Sequence, residues 1–357
     1  MKILTFNFNG ILDDVEEELT LRGHEILPHH DEDGKLIDWR QADVVVTWQE
    51  TDLGGWKDQI RSFQKEGIPC VLMQHGRRGT SRIYPPFNEQ LVSDYVCVWG
   101  ENDVDRLVSC GVEREKIFVT GTPILKRVKE LTKHNGINVV FSPEHWDEDV
   151  MENAIVAGAL RRIEGITVIS KLLAGEHNPA HYDNPVVSNR QERGHLDIVI
   201  ETLRNADAVV AISESTFELL AEAMDIPVII ADIWVPKACA GDDRYKEYHR
   251  EYSDACTMVK DISKLGEVIK QHVKNPNVLR DKRKNIVIKD GGSNIENPTE
   301  EIIKVIEYAG NNTKRGSGIS KGHNNGQGGV RRGLRGRKVH GGTKTVRQGG
   351  NRHRGGK

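Results

Sequence analysis

Nowhere does this chain carry an apolar run approaching the roughly 20 residues a membrane-spanning helix needs, so no segment of it is expected to span a membrane as a helix. Cysteine is scarce. Cys70, Cys97, Cys110, Cys239 and Cys256 are odd in number, widely spaced and include no CxxC pair. That argues against a disulfide frame or a zinc ribbon and for buried thiols in a reducing compartment. The opening MKILTFNF is too short and too polar for a secretory signal, which makes the expected location cytoplasmic. Residues 311–357 lack Asp, Glu and every aromatic residue.

That last absence divides the chain. The net charge of −3 over 357 residues conceals 13 Lys and Arg in residues 311–357; the other 37 face all 53 acids, so residues 1–310 carry −16. The basic segment is glycine-rich, nearly devoid of apolar residues and without periodicity, so it is expected to be disordered in isolation. Arg-Gly pairs at Arg315, Arg332, Arg335 and Arg354 resemble RGG-type nucleic-acid-binding segments. With no ring to stack on bases, its attraction is to phosphate and falls with salt. The expected partner is a polyanion, nucleic acid first; folding back on the acidic body is the competing role.

The acidic body is long enough for two domains. Short Val- and Ile-rich runs at 2–6, 24–27, 43–47, 69–74, 94–99 and 116–120 alternate with helical patterns at 13–22, 55–66, 101–110 and 123–133. After a polar break at 132–136 the alternation resumes. Strands are expected at 138–142, 167–171, 207–212, 227–231 and 257–259, and helices at 148–164, 196–204, 214–224, 263–273 and 299–309. Such alternation predicts an α/β protein with parallel sheets covered on both faces. The expected domains are 1–132 and 133–310, two Rossmann-like halves facing a crevice, followed by the tail at 311–357.

Residues 213–229, SESTFELLAEAMDIPVI, say most about chemistry. Glu214 and Glu222 stand eight positions apart, a little over two helical turns, so the spacing predicts both carboxylates on one side of a helix. That helix follows the buried run ADAVVAIS and aims its first amides at the crevice. A strand, Glu-x7-Glu, Ala-Met and then Pro227-Val228-Ile229 resemble the donor-binding segment of GT-B-fold glycosyltransferases. The resemblance implies that Glu214 lies near the donor sugar and diphosphate and that Glu222 holds the ribose hydroxyls. Ser213, Ser215 and Thr216 are expected to cap the helix, and their resemblance to the equivalent positions of glycerophosphotransferases and UDP-sugar epimerases implies donor-phosphate ligands.

His75-Gly76 follows the run PCVLMQ, on a loop facing the crevice. It resembles the HG loop of CDP-glycerol glycerophosphotransferases, with His75 as general base toward an acceptor hydroxyl. Gly76 lets a ligand approach, and Arg77 and Arg78 offer charge to phosphate. Thr120-Gly121-Thr122-Pro123 resembles the TGxP segment of that family, but Ile124-Leu125-Lys126 stands where an arginine and an aspartate usually follow. In the second half, Ser142 within Val140-Phe141-Ser142-Pro143-Glu144 is expected at the donor diphosphate. Lys171 is expected at a strand end as a phosphate-pairing cation. His177-Asn178-Pro179 resembles the HxNP segment of UDP-N-acetylglucosamine 2-epimerases, with His and Asn adjacent here.

The acidic groups Asp31-Glu32-Asp33 and Asp242-Asp243 read as solvated loops, and neither a metal nor another cofactor is expected. The resemblances imply a glycosyltransferase with a nucleotide-diphosphate sugar donor and a hydroxyl acceptor, on DNA or another polyanion recruited by the tail. A glycerophosphotransferase or a UDP-sugar epimerase is the alternative on the same fold. A non-catalytic nucleic-acid-binding protein is the alternative of another class. The sequence leaves the stereochemistry open, because Glu-x7-Glu points to retention and a histidine base to inversion.

Overall fold

The computed structural model describes residues 1–6, 10, 12–27, 38–48, 56–77, 91–109, 111–143, 150–175, 177–189, 194–233 and 253–316, the side chains of 56, 150 and 313–316 excepted. Arg78, Glu144, both acidic groups and all but the first six residues of the basic segment lie outside them. The described residues fall within one compact unit.

Two six-stranded sheets organise it. The first has strands β1 (Lys2–Thr5), β2 (Glu25–Leu27), β3 (Val44–Thr47), β4 (Cys70–Met73), β5 (Tyr95–Val98) and β6 (Ile117–Val119), in the order β2-β1-β3-β4-β5-β6. The second has β7 (Ile137–Ser142), β8 (Ile166–Leu173), β9 (Pro185–Ser188), β10 (Ala208–Ala211), β11 (Val228–Ala231) and β12 (Thr257–Val259), in the order β12-β11-β10-β7-β8-β9. Every pairing between these strands is parallel. The α/β reading with two parallel sheets therefore holds. Central strands such as VVVT of β3 and AVVA of β10 are buried at every position, as expected for β-branched runs covered by helices on both faces.

Helices α1 (Asp13–Leu21), α2 (Trp56–Lys65) and α3 (Glu101–Ser109) connect strands of the first sheet, and α4 (Val150–Leu160), α5 (His195–Arg204), α6 (Thr216–Ala223) and α7 (Leu265–Lys274) those of the second or follow it. In α5 the buried Leu196, Val199, Ile200 and Leu203 recur at i, i+3, i+4 and i+7, the spacing of one helical face. The chain ends its second half with α8 (Arg280–Gly291) and α9 (Pro298–Gly316). Helix α9 returns to the first sheet, where Ile302, Ile303 and Ile306 pack with Ile3, Val44 and Val46.

Some expectations change. The pattern at 123–133 forms only a 3-10 turn, Pro123–Arg127, with no helix after it before β7. Its polar groups find partners on α5 instead: the Thr132 amide donates to the Arg204 carbonyl at 2.7 Å, and Arg204 Nε to the Glu130 carbonyl at 3.1 Å. Strand β8 continues past Lys171 to Leu173, so Lys171 lies within the strand and not at its end. Helix α9 runs to Gly316, past the expected 309. Strand β9 and helix α8 fall where no element was expected. A four-residue strand opening on proline and a helix reading RDKRKNIVIKDG carry too little periodicity to announce themselves.

The end of α8 meets the loops after β5 and β6 very closely. A Cβ on Gly100 would fall 1.9 Å from the Lys289 carbonyl oxygen, and one on Gly292 2.2 Å from that of Trp99. Only glycine admits that approach.

Candidate functional site

Strand order in the second sheet reverses between β7 and β10, whose loops leave in opposite directions. The crevice outside the carboxyl ends of two such strands is where open α/β sheets bind ligands. Ser142 closes β7; Ile212 to Ser215 connect β10 to α6. The predicted residues Ser142, Ser213, Ser215 and Thr216 thus gather at one place because of topology. Ser215 caps α6: its Oγ accepts from the Phe217 amide at 3.2 Å. Glu218 completes a capping box by accepting from the Ser215 amide at 2.6 Å. Burial pushes the Glu218 carboxyl up, and the hydroxyls of Ser215 and Ser142 pull it back. Lys171 is buried on β8, with Nζ 5.5 Å from the centre of the Phe217 ring.

Glu214 stands two residues before α6 begins, so the two glutamates do not share a helix face as expected; only Glu222 is helical. They converge nonetheless, through a third party. Arg77, on the loop after β4, has no exposed side-chain surface. Its Nε donates to Asp290 Oδ2 at 2.8 Å. Its Nη1 lies 2.9 Å from Glu222 Oε2, an ion pair outside hydrogen-bond alignment, and its Nη2 lies 4.0 Å from Glu214 Oε1. Glu214 Oε1 also accepts from the Ser253 amide at 2.9 Å, Ser253 Oγ at 2.6 Å and Cys256 Sγ at 2.9 Å. Asn102 of α3 donates to the other Asp290 oxygen at 2.6 Å.

The electrostatics follow from that packing. Burial lowers the Arg77 pKa, but the charges of Glu222, Glu214 and Asp290 outweigh it and hold the guanidinium more firmly protonated than usual. Burial, opposed by Arg77 and reinforced by Glu214, pushes Glu222 up to about 7. Burial and the two glutamates push the Cys256 thiol well above its ordinary range. Glu214, Glu222 and Cys256 lie within ligating reach of one another, but the cation among them is Arg77. In this state Arg77 faces carboxylates and not an open phosphate site.

The loop carrying Arg77 begins with His75 and Gly76. Gln74 fixes it by donating to the Gly76 carbonyl at 3.0 Å and to Asp103 at 2.8 Å, while accepting from the Trp99 amide at 2.7 Å. The Arg77 amide donates to Thr216 Oγ1 at 3.0 Å, so the loop docks directly on the start of α6. His75 is half-buried, edge-on to Trp48, with Nδ1 3.1 Å from the Trp48 carbonyl. A carbonyl only accepts, so Nδ1 carries a proton, and in the neutral ring this puts the lone pair on Nε2, the tautomer a general base needs.

Of the predicted residues, the structure brings together Gly76, Arg77, Ser142, Ser213, Glu214, Ser215, Thr216 and Glu222, with Lys171 beside them. His177 lies on the loop after β8, against the Tyr182 ring. Glu218, Asp290, Asn102, Ser253 and Cys256 were not expected. Glu218 alone carried a readable signal, the Ser-x-x-Glu of a capping box.

No protein-family model and no curated protein sequence matches the chain. Solved structures do. It is similar to the UDP-GlcNAc 2-epimerase from Neisseria meningitidis bound to UDP-GlcNAc, with TM-score 0.55 and 14% identity over 86% of this chain and 100% of that one. It is similar to the wall teichoic acid polymerase TagF, with TM-score 0.54 and 10% identity over 89% and 90%. A glycosyltransferase from Rickettsia africae superposes with TM-score 0.50 and 11% identity over 86% and 98%. With its two parallel sheets, the switch-point crevice of the second and nearly full coverage of these structures, the chain has the GT-B fold.

Proposed function

We propose that the protein is a GT-B transferase that takes a nucleotide-diphosphate sugar on its second half and transfers the sugar to a hydroxyl acceptor. The observation that carries this reading is the convergence of Ser142, Ser213, Ser215 and the first turn of α6 at the β7–β10 switch point, with the His75 loop docked on the same turn. Helix-start amides and hydroxyls are suited to diphosphate oxygens, and Lys171 adds charge beside them. The acceptor hydroxyl would pass its proton to His75 Nε2 as its oxygen attacks the anomeric carbon. The bond from that carbon to phosphate breaks, and the nucleoside diphosphate leaves with the electron pair. This chemistry calls for no metal. Residues 311–357 would hold a polyanionic acceptor, nucleic acid being the target their charge best fits.

The resemblance of the His75-Gly76 loop favours a second reading, glycerophosphate transfer from a CDP donor. Thermal unfolding with UDP, GDP, CDP and their sugar or glycerol conjugates distinguishes the two. A ligand at about 100 times its Kd should stabilise the fold by about 2.7 kcal/mol. One base should stand out, and the conjugate should raise the midpoint beyond the bare diphosphate. If no nucleoside diphosphate moves the midpoint at millimolar concentration, the donor site is wrongly assigned. Binding kept but transfer undiminished in His75→Ala would remove only the base.

A further inference from the structure

The charge count around Arg77 does not balance, and the imbalance lies at the contact between the two sheets. On one side, Arg77 from the loop after β4 is already matched by Asp290, which Asn102 of α3 grips from its other oxygen. On the other side stand Glu214, before α6, and Glu222, within it, with the Cys256 thiol between them and β12. Docking the loop seals all four charged side chains from water, none more than 1% exposed. One guanidinium then faces three carboxylates.

We propose that this contact is a proton-linked latch: bringing the Arg77 loop onto the second half takes up one proton, carried by Glu222, and losing that proton loosens the two halves. Glu222 is the member placed to take it. Among the described residues its carboxylate accepts only one long bond, from Cys256 Sγ at 3.5 Å, whereas Glu214 Oε1 accepts three of 2.6–2.9 Å from Ser253 and Cys256, and Asp290 accepts from Asn102 and Arg77. The groups facing Glu222 are Arg77, Glu214, Cys256 and Asp290; Arg77 and the Cys256 thiol favour its charged form, while Glu214, Asp290 and burial oppose it. A carboxyl raised in the docked state stabilises that state fully below its undocked pKa and loses the benefit as pH rises through about 7. The 128–136 connection and α8, whose start packs against the second half and whose end meets the loops after β5 and β6, are the two covalent crossings between the halves. The inference does not depend on the identity of the donor.

Small-angle scattering of the full chain between pH 5.5 and pH 8.5 tests it. The expected result is a compact particle at the acid end that expands as pH passes neutrality, and Glu222→Gln staying compact throughout. Asp290→Asn removes a repelling charge and should shrink the expansion, which keeps the test decisive if Glu222→Gln folds poorly. Dimensions constant with pH in the native chain, or the same expansion in both variants, would overturn the latch. Nucleotide binding is read separately, so loss of the donor assignment leaves this result standing.

Discussion

A guanidinium sealed from solvent among Glu222, Asp290 and Glu214 has given up its hydration, and only their charge replaces it. Removing it leaves buried carboxylates unpaired. Arg77→Ala should therefore destabilise the protein by about 3–5 kcal/mol, read as a lowered urea midpoint. Arg77→Lys should recover only part, because a point charge cannot span three carboxylates as the planar fork does. Equal midpoints for the native chain and Arg77→Ala would show that the network contributes nothing to stability. At this scale the sequence was half legible. Glu214, Glu222 and Arg77 were singled out as donor and phosphate residues, yet nothing marked them as partners of one another. Asp290 lies 213 positions from Arg77 and sits in a lysine-rich helix, where one aspartate looks like any solvated charge.

Helix α6 is short, eight residues, and its start is fixed by side chains more than by length. The capping box of Ser215 and Glu218 satisfies amides that the helix itself leaves open. Ser215→Ala should cost about 0.5–2 kcal/mol, checked by thermal unfolding, and should also loosen the Thr216 hydroxyl that receives the Arg77 amide. A loss confined to nucleotide affinity, with stability unchanged, would contradict the capping role. Elements with strong periodicity or β-branched runs were found within a few residues. The 123–133 segment was misread, and β9 and α8 were missed, because their own residues carry little periodicity and contacts outside them hold them in place. The 128–132 stretch is held by Arg204, and α8 is anchored by Arg283, whose guanidinium reaches Asp225 and the carbonyls of Pro276 and Val278.

Over the whole molecule, an acidic body and a basic glycine-rich segment share one chain. No helix among the described residues is long and apolar enough to cross a membrane. Deleting residues 317–357 spares α9 and its packing on the first sheet, so the unfolding midpoint should stay put. Affinity for DNA or RNA should fall sharply. In the native chain it should drop by about 10³ or more between 50 and 200 mM salt if six or more phosphates are contacted. Undiminished low-salt affinity after the deletion would falsify recruitment by the tail.

The sequence by itself determined the α/β class, the two rounds of strand and helix, the position of the His75 loop and the serine cluster at the start of α6. Periodicity and capping are local, and neighbouring residues suffice to express them. Only the tertiary structure decided strand order, and with it the β7–β10 switch point where Ser142 and Ser215 meet on Glu218. It also decided the fate of the Glu214–Glu222 pair. In sequence the pair reads as two carboxylates offered to a ligand; in the fold they enclose Arg77 from the other half, because burying three carboxylates requires a cation and the packing of the two sheets supplies one.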